Sequence, residues 1–212
     1  MYKKYIKRVL DIIFSIVLLI ILFPLLLIVS LLVKFTSKGE IIFKQNRIGK
    51  NGKVFKIYKF RSMVQGAETK GTGVYSEKND SRVTKIGKII RATSIDELPQ
   101  LVNILKGEMS FIGPRPVLTY HPWEYEEYTE EQKRRFLVKP GVTGLAQVNG
   151  RKQVEWEKRI EYDVKYEKEL SFILDLKIFF KTIYKILIPL YNVNTTITVN
   201  KEEKEKEKEK VS

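Results

Sequence analysis

The stretch Ile12 to Val33, IIFSIVLLIILFPLLLIVSLLV, carries no charge. It exceeds the roughly 20 apolar residues that a helix needs to cross the hydrocarbon layer of a bilayer. A cleavable signal peptide would have a shorter apolar region with a small-residue cleavage site behind it, and this run has neither. The flanks constrain how such a segment sits. Lys3, Lys4, Lys7 and Arg8 precede it, and Lys34, Lys38, Lys44, Arg47 and Lys50 follow it, whereas basic flanks belong on the cytoplasmic side. A straight span would put one of them outside. Pro24, in mid-segment, deletes a backbone hydrogen bond and bends a helix. A re-entrant helix that dips in, kinks at Pro24 and returns meets both facts. The alternative is an ordinary bent span, because neighbouring groups can satisfy the carbonyl that a proline frees.

A chain of 212 residues has room for one folded domain with attachments. The expected division is a membrane-inserted helix over 1–34, a cytoplasmic domain over 35–191 and a mostly disordered tail over 192–212. The tail holds KEEKEKEKEK, Lys201 to Lys210, five Lys and five Glu with no net charge. The formal charge of +14 therefore sits in the folded body and calls for an anionic partner: nucleic acid, acidic lipid or a phosphorylated substrate. No Cys and a single His, His121, exclude disulfides, thiolate nucleophiles and multi-histidine metal sites. Chemistry is left to carboxylates, hydroxyls and cations.

Past the apolar run, Ile41 to Phe43 and Val54 to Phe60 are β-rich and joined through Asn51-Gly52, a hairpin signal. Gln65 to Ser81 is polar with scattered Gly and reads as a loop. Helices are expected over Lys85 to Arg91, over Ser94 to Leu105 with a stop at Gly107, over Glu124 to Phe136 as a charged surface helix, and over Trp156 to Leu170 as a similar one. In Phe172 to Tyr191, Lys177, Lys181 and Lys185 recur every fourth residue on an apolar helix. It either lies in the lipid interface or packs on the core with its Lys stripe in water. The fold class is thus α+β and membrane-associated, with a kinked N-terminal membrane helix, a small β-hairpin and several helices, interfacial ones among them.

Residues 94 to 99, SIDELP, place two carboxylates side by side. They have a structural reading: Ser94 and Glu97 form a capping box, and Asp96 in the first turn meets the helix dipole. They also have a chemical one, because a carboxylate can attack phosphorus and form an aspartyl-phosphate. Two unit charges about 4 Å apart repel by roughly 1 kcal/mol in water and about 4 kcal/mol at a partly buried site. An acid therefore attacks a phosphate only with a divalent cation and several Lys or Arg beside it, and oxygen ligands suit Mg²⁺. Cations stand in short motifs: Lys59 and Arg61 in KFRSM, Arg91 just before the acids, Arg115 between prolines in GPRP, and Arg151 at the end of KPGVTGLAQVNGR. The planar arginine fork binds two phosphate oxygens at once.

KFRSM, RATSIDELPQLVNILKGEMSFIGPRP and KPGVTGLAQVNGR, in that order after one hydrophobic segment, resemble the bacterial polyprenyl-phosphate phosphoglycosyl transferases of the monotopic type, in their minimal form. The resemblance covers residues 1 to 190. It implies a ping-pong transfer in which Asp96 attacks the β-phosphate of a UDP-sugar and releases UMP, and undecaprenyl phosphate then takes the phosphosugar. It also implies that Glu97 is associated with Mg²⁺ and the active-site geometry; Asp96 and Glu97 are accordingly expected to hold the metal, and the cations Lys59, Arg61, Arg91, Arg115 and Arg151 to bind substrate. The product would be the first lipid-linked intermediate of a capsule, exopolysaccharide, O-antigen or glycoprotein glycan. It would be made on the cytoplasmic face of the plasma membrane, in contact with membrane lipids and with downstream glycosyltransferases. Many members carry Ser-Pro at the helix break, where this chain has Phe23-Pro24. The Ser hydroxyl can satisfy a carbonyl freed by the Pro, so its absence bears on how sharply the helix bends.

The rival from another class is a membrane-anchored basic module that holds nucleic acid or acidic lipid. Charge alone supports it, since the aromatics are not interleaved with Lys and Arg as a stacking platform requires. No nucleic-acid partner is therefore expected. His121, beside Pro122 and Trp123, has no partner group legible in sequence and is read as a packing or surface residue. Trp123 and Trp156 are either interface anchors or core residues.

Overall fold

The structure, a computed structural model, describes residues 1–69, 80–150 and 155–187. Arg151 and the tail 192–212 lie outside the described residues, as does most of the loop expected after Gln65. The chain opens with helix α1, Lys7–Thr36, entered through a wide turn over Tyr2–Ile6. An antiparallel hairpin follows, β1 Ile42–Ile48 and β2 Val54–Phe60, in a register that runs from Ile42 opposite Phe60 to Ile48 opposite Val54. Its turn uses Asn51 and Gly52, both at positive φ (56° and 76°), a conformation that Asn and Gly adopt more readily than other residues.

Then come α2 (Lys85–Ala92), α3 (Gln100–Lys106) and β3 (Ser110–Ile112). These are followed by α4 (Glu130–Lys133), β4 (Gly141–Thr143), α5 (Leu145–Val148), α6 (Trp156–Glu169) and α7 (Phe172–Leu187). The short strands β3 and β4 pair in parallel, Ser110 with Gly141 and Ile112 with Thr143.

Helix α1 runs as one helix through Pro24 and docks along a single stripe. Asp11, Ser15, Val29 and Val33 are buried, Leu18 and Leu19 pack on the cluster of Phe55, Ile57, Leu101, Ile104 and Met109, and Val29 and Val33 meet Phe60 and Ile90. The spacing of four and three residues is that of one helix face. The rest of the perimeter, including Phe14, Ile20, Ile21, Phe23, Leu27 and Ile28, is bare, and an exposed apolar surface of that extent marks a lipid or protein partner.

Both ends of α1 are tied to the same body. At the start, Lys7 Nζ donates to Asp175 Oδ2 at 2.6 Å, Arg8 donates to the Ile104 and Leu105 carbonyls that end α3, and Asp11 Oδ1 accepts from Ser110 Oγ and the Phe111 N–H. At the finish, the Arg61 guanidinium donates to the Val33, Ser37 and Glu40 carbonyls. The side chain of Asn103, wholly buried, plays a comparable part between α3 and β2. Its amide donates to the Lys56 carbonyl at 2.8 Å and its oxygen accepts from the Tyr58 N–H at 3.0 Å. Asn103→Leu keeps the branched shape and the number of heavy atoms and leaves both backbone groups unmet. It is expected to cost ~2 kcal/mol and to lower the melting temperature in detergent by about 4–8 °C.

Two expected helices differ from what forms. Ser94 to Leu105 is not continuous: Ile95–Glu97 make a 3₁₀ turn and α3 begins only at Gln100, after Pro99, which has no N–H to carry a helix across. The end at Gly107, with φ 83°, is as expected. Glu124 to Phe136 is not one charged surface helix but a 3₁₀ turn over Tyr125–Glu127, α4, and a second 3₁₀ turn over Arg134–Leu137. Two capping boxes, Glu124 with Glu127 and Thr129 with Gln132, restart the helix within five positions of each other. The segment is also bound to the core, with Tyr128 and Phe136 buried among Ile48, Val117, Ile160 and Val164. Trp123 and Trp156 pack against that cluster, and His121 meets Trp156 edge to face at 5.4 Å. All three are packing residues of this core.

Helix α7 packs on the core through Leu174 and Ile178 and also leaves a broad apolar face uncovered. Asp175 and Ile178 are buried, while Phe172, Ile173, Leu176, Phe179, Phe180, Ile183, Tyr184 and Ile186 are exposed. That uncovered face points away from the body, as one does on α1.

Candidate active site

The paired carboxylates stand on the 3₁₀ turn that follows α2. Ser94 is at φ 58°, a left-handed conformation uncommon for a residue other than Gly. It turns the chain sharply between the end of α2 and Ile95–Glu97, and no side-chain capping bond forms there. The expected capping box is absent, and Glu97 has a different pair of partners. Its Oε1 accepts from Lys59 Nζ at 2.6 Å and from Arg115 Nη2 at 2.9 Å. Lys59 reaches it from the end of β2, and Arg115 from the loop after β3.

Glu97 and Lys59 are mostly buried side chains, 19% and 18% exposed, whereas Arg115 is 54% exposed. Burial would push the Glu97 carboxyl up, but Arg115 and Lys59 together outweigh it and hold the group well below the usual carboxylate range. Glu97 in turn pulls Arg115 up, while burial presses Lys59 down against Glu97's opposing pull.

Asp96, one residue away and half-buried, accepts no hydrogen bond and joins no ion pair among the described residues. Burial pushes its carboxyl up, Glu97 adds to that, and Lys59, Arg91 and Arg115 only partly offset it. Two neighbouring acids are thus driven in opposite directions, a division that commonly separates acid–base or nucleophilic roles. One is clamped and ionised, the other bare and more basic than an ordinary aspartate.

The structure brings Asp96, Glu97, Lys59 and Arg115 together, and Arg91 acts on Asp96 through its charge from the last turn of α2. It does not bring Arg61 there. That guanidinium is buried against the end of α1, so Arg61 anchors α1 and does not join the group at Glu97. Arg47, named in the sequence only as one of the basic residues flanking the apolar run, also lies near the site. It is half-buried on β1, donates to the Pro116 carbonyl at 3.2 Å and adds its charge beside Arg115. The alternation of Gln45 and Arg47 along FKQNRI was the available signal, since alternate strand residues share a face.

The loop that carries Arg115 is seated by glycine. A Cβ on Gly113 would lie 2.3 Å from the Lys139 carbonyl oxygen, and one on Gly141 only 2.1 Å from the Gly113 nitrogen. The backbones of FIGPRP and KPGVTG therefore lie directly on each other, and no side chain fits between them.

Among the described residues no group of three or more acidic, His or Cys side chains could enclose a metal. Mg²⁺ does not require one, because it keeps several waters and binds through one or two carboxylates plus substrate phosphates. Asp96, with both oxygens unbonded, and Glu97, with Oε1 alone engaged, fit an ion that arrives with a diphosphate.

The profile of the bacterial sugar transferase family matches residues 2–189. The chain is 48% identical over 184 residues to a UDP-glucose:undecaprenyl-phosphate glucose-1-phosphate transferase of Klebsiella pneumoniae, covering 84% of this chain and 39% of that one. It is 46% identical to an uncharacterized sugar transferase, EpsL, of Bacillus subtilis, covering 86% and 87%. It is also 43% identical to a UDP-N-acetylgalactosamine-undecaprenyl-phosphate N-acetylgalactosaminephosphotransferase of Aeromonas hydrophila, covering 68% and 34%. The chain thus spans well under half the length of the Klebsiella and Aeromonas relatives. With the match running from the first turn before α1 to the end of α7 and enclosing the whole carboxylate and cation cluster, the chain belongs to the bacterial sugar transferase family.

Proposed function

We propose that the protein transfers a sugar phosphate from a UDP-sugar to undecaprenyl phosphate by double displacement. A carboxylate oxygen of Asp96 attacks the β-phosphorus, forming an aspartyl O–P bond as the bond from that phosphorus to the oxygen bridging the α-phosphate breaks and UMP leaves. A phosphate oxygen of undecaprenyl phosphate then attacks the same phosphorus, restoring the carboxylate and giving undecaprenyl-diphosphate-sugar.

The observation that carries this reading is the opposed state of the two acids: Asp96 is unbonded and raised, Glu97 clamped by Lys59 and Arg115. Lys59 and Arg115 stand where a diphosphate brought to Asp96 would need neutralising, and Arg91 adds charge from α2. A Mg²⁺ ion held by Asp96 and Glu97 would supply further neutralisation of the phosphate oxygens. Relatives named for glucose and for N-acetylgalactosamine donors support the class of reaction and leave the sugar open. The product is a substrate for glycosyltransferases that extend lipid-linked glycans.

The test is UMP release from a panel of UDP-sugars in nanodiscs. A stoichiometric burst of UMP before undecaprenyl phosphate is added is expected with one donor or a few. EDTA is expected to abolish turnover, and added Mg²⁺ to restore it. UMP that forms only when the acceptor is present, with no burst, would rule out double displacement.

The same reading places α1 as a re-entrant element, entering and leaving on the cytoplasmic face. Its support is that both ends are bonded to one body, through Lys7 and Arg8 at the start and Arg61 at the finish. Ends bonded to one body in this way favour one side of the bilayer for both. The bare apolar faces of α1 and α7 would sit in lipid, with Lys177 and Lys181 near the headgroups. Because the chain has no Cys, Lys4→Cys and Lys38→Cys variants each carry one thiol. Both are expected to react with an impermeant maleimide from the cytoplasmic face only; labelling from opposite faces would establish a span.

A further inference from the structure

The loop that aims Arg115 at Glu97 is held almost entirely by its carbonyls. Pro114 and Pro116 have no N–H, so the segment offers acceptors, and four in succession are taken. The Gly141 N–H donates to the Pro114 carbonyl at 2.8 Å, Arg135 Nη2 to the Arg115 carbonyl at 3.1 Å, Arg47 Nη1 to the Pro116 carbonyl at 3.2 Å, and the Ile48 N–H to the Val117 carbonyl at 3.0 Å. The bond to Arg115 itself comes from a side chain that is in turn fixed by another. Arg135 Nε and Nη2 both donate to Asp163 Oδ2, at 3.1 and 2.6 Å, and the two side chains are 2% and 3% exposed. Asp163 stands on α6 in the buried stripe with Ile160, Val164 and Glu167.

We propose that Arg135 and Asp163 are positioning residues for the transfer reaction: the buried pair fixes the backbone of Arg115 so that its guanidinium meets Glu97 and the phosphate brought to Asp96. The inference rests on the functional reading given above and extends it to a pair that no comparison assigns. A buried ion pair is a poor device for stability, because desolvation offsets most of the attraction, and an apolar pair of similar volume commonly does as well. What an apolar pair does not provide is a donor to the Arg115 carbonyl. Misplacing a reacting or charge-neutralising group by about 1 Å costs on the order of 100-fold in rate, so the aim of Arg115 is worth holding rigidly.

Removing one partner would leave a bare buried charge and strongly destabilise the protein, so the pair is replaced together. Arg135→Met with Asp163→Leu is expected to keep the melting temperature and to lower kcat for UMP release by about 10-fold or more, with KM little changed. The same double substitution made on an Arg115→Ala background is expected to change kcat by less than about 3-fold, because residues that act through one group are not additive. Should the apolar pair not fold, Arg135→Gln with Asp163→Asn carries the same expectation, its amide ending two bonds short of the Arg115 carbonyl.

An equal loss of kcat with and without Arg115 would overturn the proposal, by showing that the pair acts through the fold at large. So would a structure of the double variant with Arg115 still bonded to Glu97. An Arg115→Ala enzyme with unimpaired UMP release would instead remove Arg115 from the proposed site, and the positioning role would fall with it.

Discussion

Asp96→Asn is expected to lower UMP release by roughly 10⁴-fold or more with every UDP-sugar, because removing the nucleophile of a covalent mechanism costs up to about 10⁶ in kcat. The amide is isosteric, and Asp96 accepts no hydrogen bond and joins no ion pair among the described residues, so no direct contact of the fold is lost with its charge. Its loss also removes the repulsion between Asp96 and Glu97, one of the influences that raise the Asp96 carboxyl. The melting temperature is therefore expected to hold or rise slightly, which separates a chemical defect from a folding one. The direct measurement is label. Enzyme quenched after exposure to a UDP-sugar carrying ³²P in the β-phosphate should hold radioactivity on the peptide containing Asp96, and the Asn variant should hold none. An Asn variant that keeps more than a few per cent of wild-type UMP release would end the case for a covalent step at this residue.

The sequence carried the parts of this protein that local rules govern. Asn51-Gly52 set the hairpin turn, Gly107 the end of α3, and the uncharged run the middle of α1, which continues past both ends of that run to Lys7 and Thr36, each through backbone conformation or hydropathy alone. What it did not carry depends on contacts across the chain. Lys59 and Arg61 sit two residues apart in one motif, yet Lys59 meets Glu97 while Arg61 caps carbonyls of Val33 and Ser37, because β2 ends between them at Phe60. No pattern within KFRSM distinguishes the two. Arg135 and Asp163 lie in stretches rich in charge and were read as parts of surface helices, although both are buried. For Asp163 a signal existed: its spacing with Ile160 and Val164 is that of one helix face, and a charge in an apolar stripe needs a buried partner. The capping box expected at Ser94 was a local rule overruled by a stronger interaction, since two cations hold the Glu97 side chain where one backbone N–H would have.

That arrangement makes Glu97→Gln the more informative of the two site substitutions. Glu97 Oε1 is the shared acceptor of Lys59 and Arg115, and its charge is the main influence opposing the burial of Lys59. With a neutral amide the two cations lose the anchor that orders them, and kcat is expected to fall about 10²- to 10³-fold, the usual cost of disturbing a preorganised charge-stabilising group. Binding should move the other way. Deleting one negative charge leaves the site more positive, and removing a like-charge contact near 4 Å gains about 1 kcal/mol in water, so UDP measured without Mg²⁺ should bind roughly 5-fold more tightly. The Mg²⁺ concentration for half-maximal rate should rise by about 10-fold, because a carboxylate ligand has been lost. Lys59→Met is the complement, with weaker UDP binding and lower kcat together. Titration calorimetry with UDP and initial rates across a Mg²⁺ series distinguish the cases. A Gln variant with weaker metal-free UDP binding and unchanged kcat would mean that Glu97 serves to hold the nucleotide and does not organise Lys59 and Arg115 around the phosphate under attack.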